Sequence, residues 1–285
     1  MADFDTISYA VDGRIARITL NRPERLNAIV PAMPREIRLA VERANADDSV
    51  HVIVLEGAGR AFCAGYDLKD FAEAEIDSPC TQSMPWDPMI DYSMMSRNVR
   101  GFMSLFHSDK PVVCKVQGFC VAGGTDLALL ADLLIIEDQA KIGYPPARVW
   151  GVPTTALWAY RIGAEKAKRL LFTGDCLSGT EAVAWGLATE CAPASELDAR
   201  FESLLSRIAQ VPINQLVMMK LLVNQTIYAQ GLAATQILGT VFDGIARHTP
   251  EGYAFQQRAA QAGFKAAVLE RDAPFGDPGS STFKG

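Results

Sequence analysis

Two glycine-containing stretches of the sequence place bare backbone at the start of predicted helices. Residues 52–68 read VIVLEGAGRAFCAGYDL, and residues 111–127 read PVVCKVQGFCVAGGTDL. Each stretch is an apolar strand that runs through a glycine loop into a helix, whose first N–H groups lack intrahelical acceptors and favour negative charge. Two such loops in consecutive strand–loop–helix units can direct two N–H groups at one oxygen atom. The pattern therefore predicts an oxyanion hole.

One carboxylate accompanies these loops. Asp126 lies in the first turn of the apolar helix predicted at residues 124–131. A carboxylate beside an oxyanion hole can transfer protons or attack a substrate. The same carboxylate in a first helical turn is also stabilised by the helix dipole without any catalytic role. Both interpretations are open at this point.

Composition excludes several classes of protein. The chain has 285 residues and a net charge of −6, which disfavours a non-specific polyanion binder. Six cysteines without paired spacing and three scattered histidines predict reduced thiols and no metal site. The first residues lack the basic and apolar regions of a signal peptide, and no apolar run reaches membrane-spanning length. We therefore expect a cytoplasmic protein with no membrane or nucleic-acid partner.

The elements that must position these loops follow an alternating order. Two alternating runs joined at Asp12-Gly13 predict a hairpin, and residues 33–47 have helical periodicity. Short apolar strands are predicted at residues 50–57, 110–118 and 132–138. Continuous apolar strands that alternate with helices indicate an α/β fold with parallel pairing. From about residue 165 the sequence is mostly helical.

Residues 73–100 interrupt this alternation. Their prolines, methionines and weak periodicity predict a long loop excursion that could act as a mobile lid.

Four segments together resemble the crotonase superfamily, also called the enoyl-CoA hydratase/isomerase family. They are NRPERLNA at 21–28, GRAFCAGYDL at 59–68, KPVVCKVQGFCVAGGTDLALLADLLI at 110–135 and LLFTGDCLSGTEAVAWGLATECAP at 170–193. They occur in the family's order and spacing, and the resemblance runs over roughly residues 7–255. Any one segment is a weak signal, but the four together are specific.

The resemblance implies a fold and a partner. We expect a crotonase-type spiral of ββα units over residues 1–200, a helical C-terminal oligomerisation region over 201–275 and a disordered tail over 276–285. It also implies a lyase of acyl-CoA or fatty acid metabolism that works as a homotrimer or dimer of trimers. The acyl-CoA is the substrate, and neither a separate cofactor nor a metal ion is implied.

The resemblance also assigns roles to positions of this sequence. The backbone N–H groups of Tyr66 and Gly123 match the two oxyanion-hole donors, and Asp126 takes the place of the first catalytic glutamate. The phosphates of the CoA group would bind to three basic residues, Arg22, Arg25 and Lys69. The remaining positions matched to substrate binding are Ala64, Asp67, Leu68, Gly124 and Pro146.

The second catalytic acid of the family is absent at its matched position. In this family, hydration of an enoyl thioester uses two carboxylates. The position matched to the second one is Pro146, whose side chain has no ionisable group and cannot transfer a proton. Enoyl-CoA hydration is still the activity that the resemblance suggests most directly, with Asp126 alone or with Asp87 or Asp91 swinging in. A hydrolase with Asp126 as nucleophile, a decarboxylase with Arg148 holding a substrate carboxylate, and a non-catalytic acyl-CoA-binding protein remain open.

Overall fold

The computed structural model describes residues 4–69, 82 and 85–277. The strands are β1 Ile7–Asp12, β2 Ile15–Leu20, β3 Val52–Gly57, β4 Val112–Val116, β5 Phe119–Val121, β6 Leu133–Glu137, β7 Lys141–Gly143, β8 Cys176–Ser178 and β9 Glu190–Ala192. The larger sheet has the order β1-β2-β3-β4-β6-β9, and the smaller sheet has the order β5-β7-β8. Most of the predicted tail, from residue 278 onward, lies outside the described residues, as do residues 73–81 of the predicted excursion.

Helices cover the sheets and then continue without further strands. They are α1 Met33–Ala46, α2 Pro88–His107, α3 Gly123–Ala128, α4 Trp158–Ile162, α5 Ala164–Thr173, α6 Gly179–Trp185, α7 Ala194–Gln210, α8 Ile213–Ala229, α9 Leu232–Arg247, α10 Pro250–Ala262 and α11 Phe264–Asp272. No helix in the described ranges combines the length and apolar character that crossing a membrane requires.

The predicted α/β architecture is confirmed. Strands β1 and β2 form an antiparallel hairpin whose turn contains Gly13 at φ 55°, while β2, β3, β4, β6 and β9 pair in parallel. The central strands are apolar on both faces because both faces are covered. One face packs on the main core with α1, and α7 packs on the other face through Leu197, Phe201 and Leu205. The C-terminal region is helical, as expected, and the boundary at residue 200 stays a prediction.

The expectation of a loop excursion as far as residue 100 is wrong from Pro88 onward. Residues 88–107 form the twenty-residue helix α2, which begins where the Asp87 carboxylate accepts a hydrogen bond from the Met89 N–H. Its buried residues include Met95, Val99 and Phe102, which recur at helical spacing. Elsewhere in the helix, Met89 and Ile90 are exposed while Asp91 and Gly101 are buried, which obscures the periodicity in the sequence, so the packing reveals the helix.

Arg148 joins a 3₁₀ turn at Pro145–Arg148 to the end of the described chain. Its side chain is fully buried and bonds the carboxylates of Asp175, Asp272 and Asp277 at 3.0–3.3 Å. Its Nε also donates to the Thr173 carbonyl oxygen at 2.7 Å. The expectation that Arg148 could hold a substrate carboxylate is therefore wrong, because three protein carboxylates already surround the guanidinium.

This buried network yields a prediction about stability. Replacing Arg148→Ala leaves carboxylates buried without their shared cation, so we expect the free energy of unfolding to fall by about 3–5 kcal/mol. Arg258→Ala is the matched control because its ion pair with Glu270 is exposed, and exposed ion pairs contribute little to stability. Urea unfolding of both variants measures the difference. Equal losses in the two variants would contradict the prediction.

Candidate active site

The two glycine loops of the sequence meet in the folded chain. Isolated parallel bridges pair Ile29 with Tyr66 and Cys63 with Cys120. The Val121 N–H donates to the Cys63 carbonyl oxygen at 3.1 Å, which fixes the first loop against β5. Backbone pairing therefore brings the loop that follows β3 to the beginning of α3.

Glycine is required where the loops touch. A Cβ atom added to Gly65, which has φ 90°, would lie 2.7 Å from the Ala122 Cβ and 3.2 Å from the Gly123 nitrogen. A Cβ atom on Gly123 would lie 2.9 Å from Ile29 Cδ1 and 3.0 Å from Tyr66 Cδ2. Gly123 is the first residue of α3, so its N–H has no intrahelical acceptor. The two predicted donor residues, Tyr66 and Gly123, are neighbours in space.

The backbone is strained directly before Gly123. Ala122 has φ 53° and ψ −128°, a conformation that L-residues rarely adopt and that costs about 1–3 kcal/mol. The Ala122 N–H donates to the Gly143 carbonyl oxygen at 3.0 Å, which ties this turn to β7. Strain of this kind is typical of functional sites, where the surrounding structure enforces a particular backbone direction.

A cavity of about 100 Å³ lies where the loops meet. Its lining includes five of the residues matched to substrate or oxyanion binding, namely Ala64, Tyr66, Leu68, Gly123 and Pro146. A second cavity of about 180 Å³ shares part of this wall, namely Ala64, Leu68, Ala122, Pro146 and Arg271. These shared residues place the two cavities side by side, and the pair is called the cleft below. Gly124 lines neither cavity and is buried against the Cys63 carbonyl oxygen.

The three basic residues matched to CoA phosphates differ in their surroundings. Arg22 bonds the Asp67 carboxylate at 3.2 Å and the Ala28 carbonyl oxygen at 2.7 Å, so this pair orders the loops around the cleft. Arg25 and Lys69 are exposed to solvent. Phosphate binding by Arg25 and Lys69 stays a prediction. The sequence reasoning missed Arg271, which lines both cavities.

Asp126 is buried behind this wall and is not itself a lining residue. Its Oδ1 accepts hydrogen bonds from the Thr155 N–H at 3.0 Å and the Thr155 hydroxyl at 2.7 Å. Its Oδ2 has no hydrogen-bond partner among the described residues. Burial, and to a smaller extent the Asp243 carboxylate, raises the pKa of Asp126 to about 7 against the lowering effect of the Thr155 hydrogen bonds. Near neutral pH this carboxyl group can therefore both donate and accept a proton.

The cleft contains an acid that sequence reasoning missed. Asp243 of α9 lines the cavity, where its Oδ1 accepts from the Val152 N–H at 3.1 Å and its Oδ2 pairs with Arg247. Arg247 also bonds Asp91 of α2 at 2.6 Å. Asp243 and Arg247 are the only charged residues in α9, four positions apart. A close pair of opposite charges in an otherwise uncharged helix was the available signal.

The two acids that were expected to swing into the site have other partners. Asp91 is buried and bonds Arg247, the Trp86 indole N–H at 2.8 Å and the His248 ring at 3.2 Å. Asp87 caps α2. Neither residue lines the cavity.

Comparison with known proteins places this arrangement among relatives. The family model described as enoyl-CoA hydratase/isomerase matches residues 11–258. The crystal structure of an enoyl-CoA hydratase from Mycobacterium smegmatis is 54% identical, with a TM-score of 0.92 and coverage of 98% of this chain and 97% of that chain. An enoyl-CoA hydratase/isomerase from Xanthobacter autotrophicus Py2 is 29% identical, with a TM-score of 0.86 and coverage of 96% and 99%. EchA13 of Mycobacterium tuberculosis is 33% identical over an alignment of 252 positions that covers 81% of this chain and 77% of that protein.

The raised pKa of Asp126 predicts how stability depends on pH. The unfolded chain loses this proton near pH 3.8 and the folded chain near pH 7, so the folded state binds more protons between these values. The contribution of Asp126 to the free energy of unfolding is therefore complete below pH 3.8 and falls by up to about 1.4 kcal/mol per pH unit until pH 7. Urea unfolding of wild type and Asp126→Asn from pH 4 to 8 measures it. Parallel curves for the two proteins would contradict the prediction.

Proposed function

The chain belongs to the enoyl-CoA hydratase/isomerase family, and we propose that it acts on an acyl-CoA thioester through a backbone oxyanion hole. The observation that carries the proposal is the contact between the Gly65-Tyr66 loop and the strained turn at Ala122-Gly123. This contact supports convergence of the Tyr66 and Gly123 N–H groups on one thioester oxygen. Charge that moves onto that oxygen forms an enolate, so the α-carbon can gain or lose a proton.

The physical advantage of this arrangement is preorganisation. Backbone donors that are fixed by strand pairing need no rearrangement when charge develops on the oxygen atom. Each oxyanion-hole donor stabilises a transition state by about 2.7–4 kcal/mol. Because the donor is an N–H group, the side chain at position 66 can be a tyrosine, whose ring instead lines the acyl side of the cavity.

The two adjoining cavities suit an elongated ligand. Apolar side chains of Met95, Trp150 and Phe255 line the cavity of about 100 Å³ and suit an acyl chain. The adjoining cavity is lined by Lys141 and Arg271, which suit the phosphates of the CoA arm. These features fit a thioester that spans both cavities.

The reaction we propose is addition of water to a 2-enoyl-CoA. Asp126, with a pKa of about 7, donates the proton that the α-carbon receives. It lies three residues after Gly123 in the same helix, so about one helical turn separates it from this oxyanion-hole donor. A decarboxylase was considered because Arg148 could hold a substrate carboxylate. Three protein carboxylates already surround the Arg148 guanidinium, so this reason no longer applies.

We also propose a trimer or a dimer of trimers. Helices α8 and α9 expose large apolar side chains, and exposed apolar patches of this kind mark protein interfaces. They include Leu221, Leu222, Val223, Ile237 and Leu238.

The proposed reaction is tested with crotonyl-CoA, whose conjugated thioester loses ultraviolet absorbance on hydration. We expect turnover by the wild type and a loss of about 10²–10⁴-fold in Asp126→Asn, because a general acid contributes this much. Isothermal titration with CoA should give the same affinity for both proteins. Asp12→Asn is the matched control, since Asp12 is exposed at the hairpin.

Two outcomes would overturn the proposal. CoA binding without turnover of crotonyl-CoA by the wild type would exclude hydration of this substrate class. Equal turnover by Asp126→Asn and wild type would remove Asp126 from the mechanism.

A further inference from the structure

The wall of the cavity holds a carboxylate beside the position where the family's second acid is missing. Gly151 marks the place: a Cβ atom added to it would lie 3.0 Å from the Pro146 Cβ and 3.5 Å from Asp243 Oδ1. The same point lies 3.4 Å from the Tyr144 hydroxyl. Asp243 therefore reaches, from the C-terminal helix α9, the region that a longer acidic side chain at position 146 would occupy.

Asp243 is also the acid that faces the cavity. Among the lining residues in the described part of the chain, it is the only carboxylate. Its Oδ1 accepts a hydrogen bond from the Val152 N–H. Three residues after Val152, the Thr155 hydroxyl donates a hydrogen bond to Asp126. One short segment of chain thus holds both carboxyl groups.

The two carboxyl groups have opposite electrostatic surroundings. Asp243 is bonded by the Arg247 guanidinium and the Val152 N–H, both of which stabilise negative charge. Asp126 has no cation bonded to it among the described residues, and burial raises its pKa to about 7. Two acids whose environments differ in this way can divide the roles of base and acid between them.

We propose that Asp243 is the second catalytic carboxylate and replaces through space the acid that Pro146 lacks. This inference rests on the proposed hydration. The oxygen of a water molecule bonds to the β-carbon while one of its O–H bonds breaks and that proton passes to Asp243. The α,β π-electrons move into the thioester enolate, and the α-carbon then takes the proton of Asp126. After product leaves, solvent carries a proton from Asp243 back to Asp126, so one water is added per cycle.

The central test is Asp243→Asn, assayed with crotonyl-CoA. We expect kcat to fall about 10²–10⁴-fold, the range for a general base, with KM and CoA affinity nearly unchanged. Adding Pro146→Glu to Asp243→Asn returns a carboxylate to the family position and should restore kcat at least about tenfold. Glu251→Gln, at an exposed acid of α10, is the control that leaves kcat unchanged.

The pH profile tests whether Asp243 and Asp126 act on each other. In the wild type, kcat should fall above about pH 7 as Asp126 loses its proton. Asp243→Asn should lower the pKa of Asp126 measured by ¹³C carboxyl NMR and move this fall to lower pH, because the Asp243 charge no longer raises that pKa. The other ionisable groups around this pair in the described residues are Cys63, Tyr66, Asp91, Cys120, Tyr144, Arg247, His248 and Arg271.

Each result decides the proposal. An Asp243→Asn variant that keeps more than about a third of wild-type kcat overturns the role of Asp243 while hydration stands. A wild type without turnover overturns hydration and this role together. If Asp243→Asn does not fold, Asp243→Glu decides, because a wild-type kcat after the carboxyl group has moved by one methylene contradicts a positioned base.

Discussion

The ion pairs of Arg247 with Asp91 and Asp243 are the constraint on which the closed cleft depends. All three side chains are buried, and a buried charge is tolerated only when it is paired. Arg247 and Asp243 belong to α9, whereas Asp91 belongs to α2. Folding must therefore bring these helices together, and this contact places Asp243 in the cavity wall.

A second constraint acts on the backbone. The loop after β3 and the turn before α3 touch so closely that glycine is needed at position 65, where φ is 90° and a Cβ atom would lie 2.7 Å from the Ala122 Cβ. The strain at Ala122 costs little beside the interactions of the strand pairing that enforces it. The donors that we propose are backbone N–H groups, so the side chain of Tyr66 is not part of the hydrogen bond.

The chemistry that we propose depends on the contrast between two acids. Asp126 is buried, and one of its carboxyl oxygens has no hydrogen-bond partner among the described residues. Asp243 is instead paired with the Arg247 guanidinium and accepts a hydrogen bond from the Val152 N–H. The first environment favours the neutral acid and the second the carboxylate. In this proposal, α9 supplies through Asp243 the acid that position 146 lacks. Arg247 of the same helix provides the positive charge that makes a buried carboxylate tolerable.

The hairpin, the parallel sheet and the meeting of the two glycine loops were predictable from the sequence, because they follow from local periodicity and from segments that lie in a recognisable order. The resemblance also assigned Tyr66, Gly123 and Pro146 to one site, and the structure shows that all three line the same cavity. The helix at Pro88 and the burial of Arg148 by three carboxylates were decided by packing. So was the position of Asp243, because no local pattern relates it to Pro146. Only the tertiary structure brings them together, through ion pairs between helices that are remote in sequence.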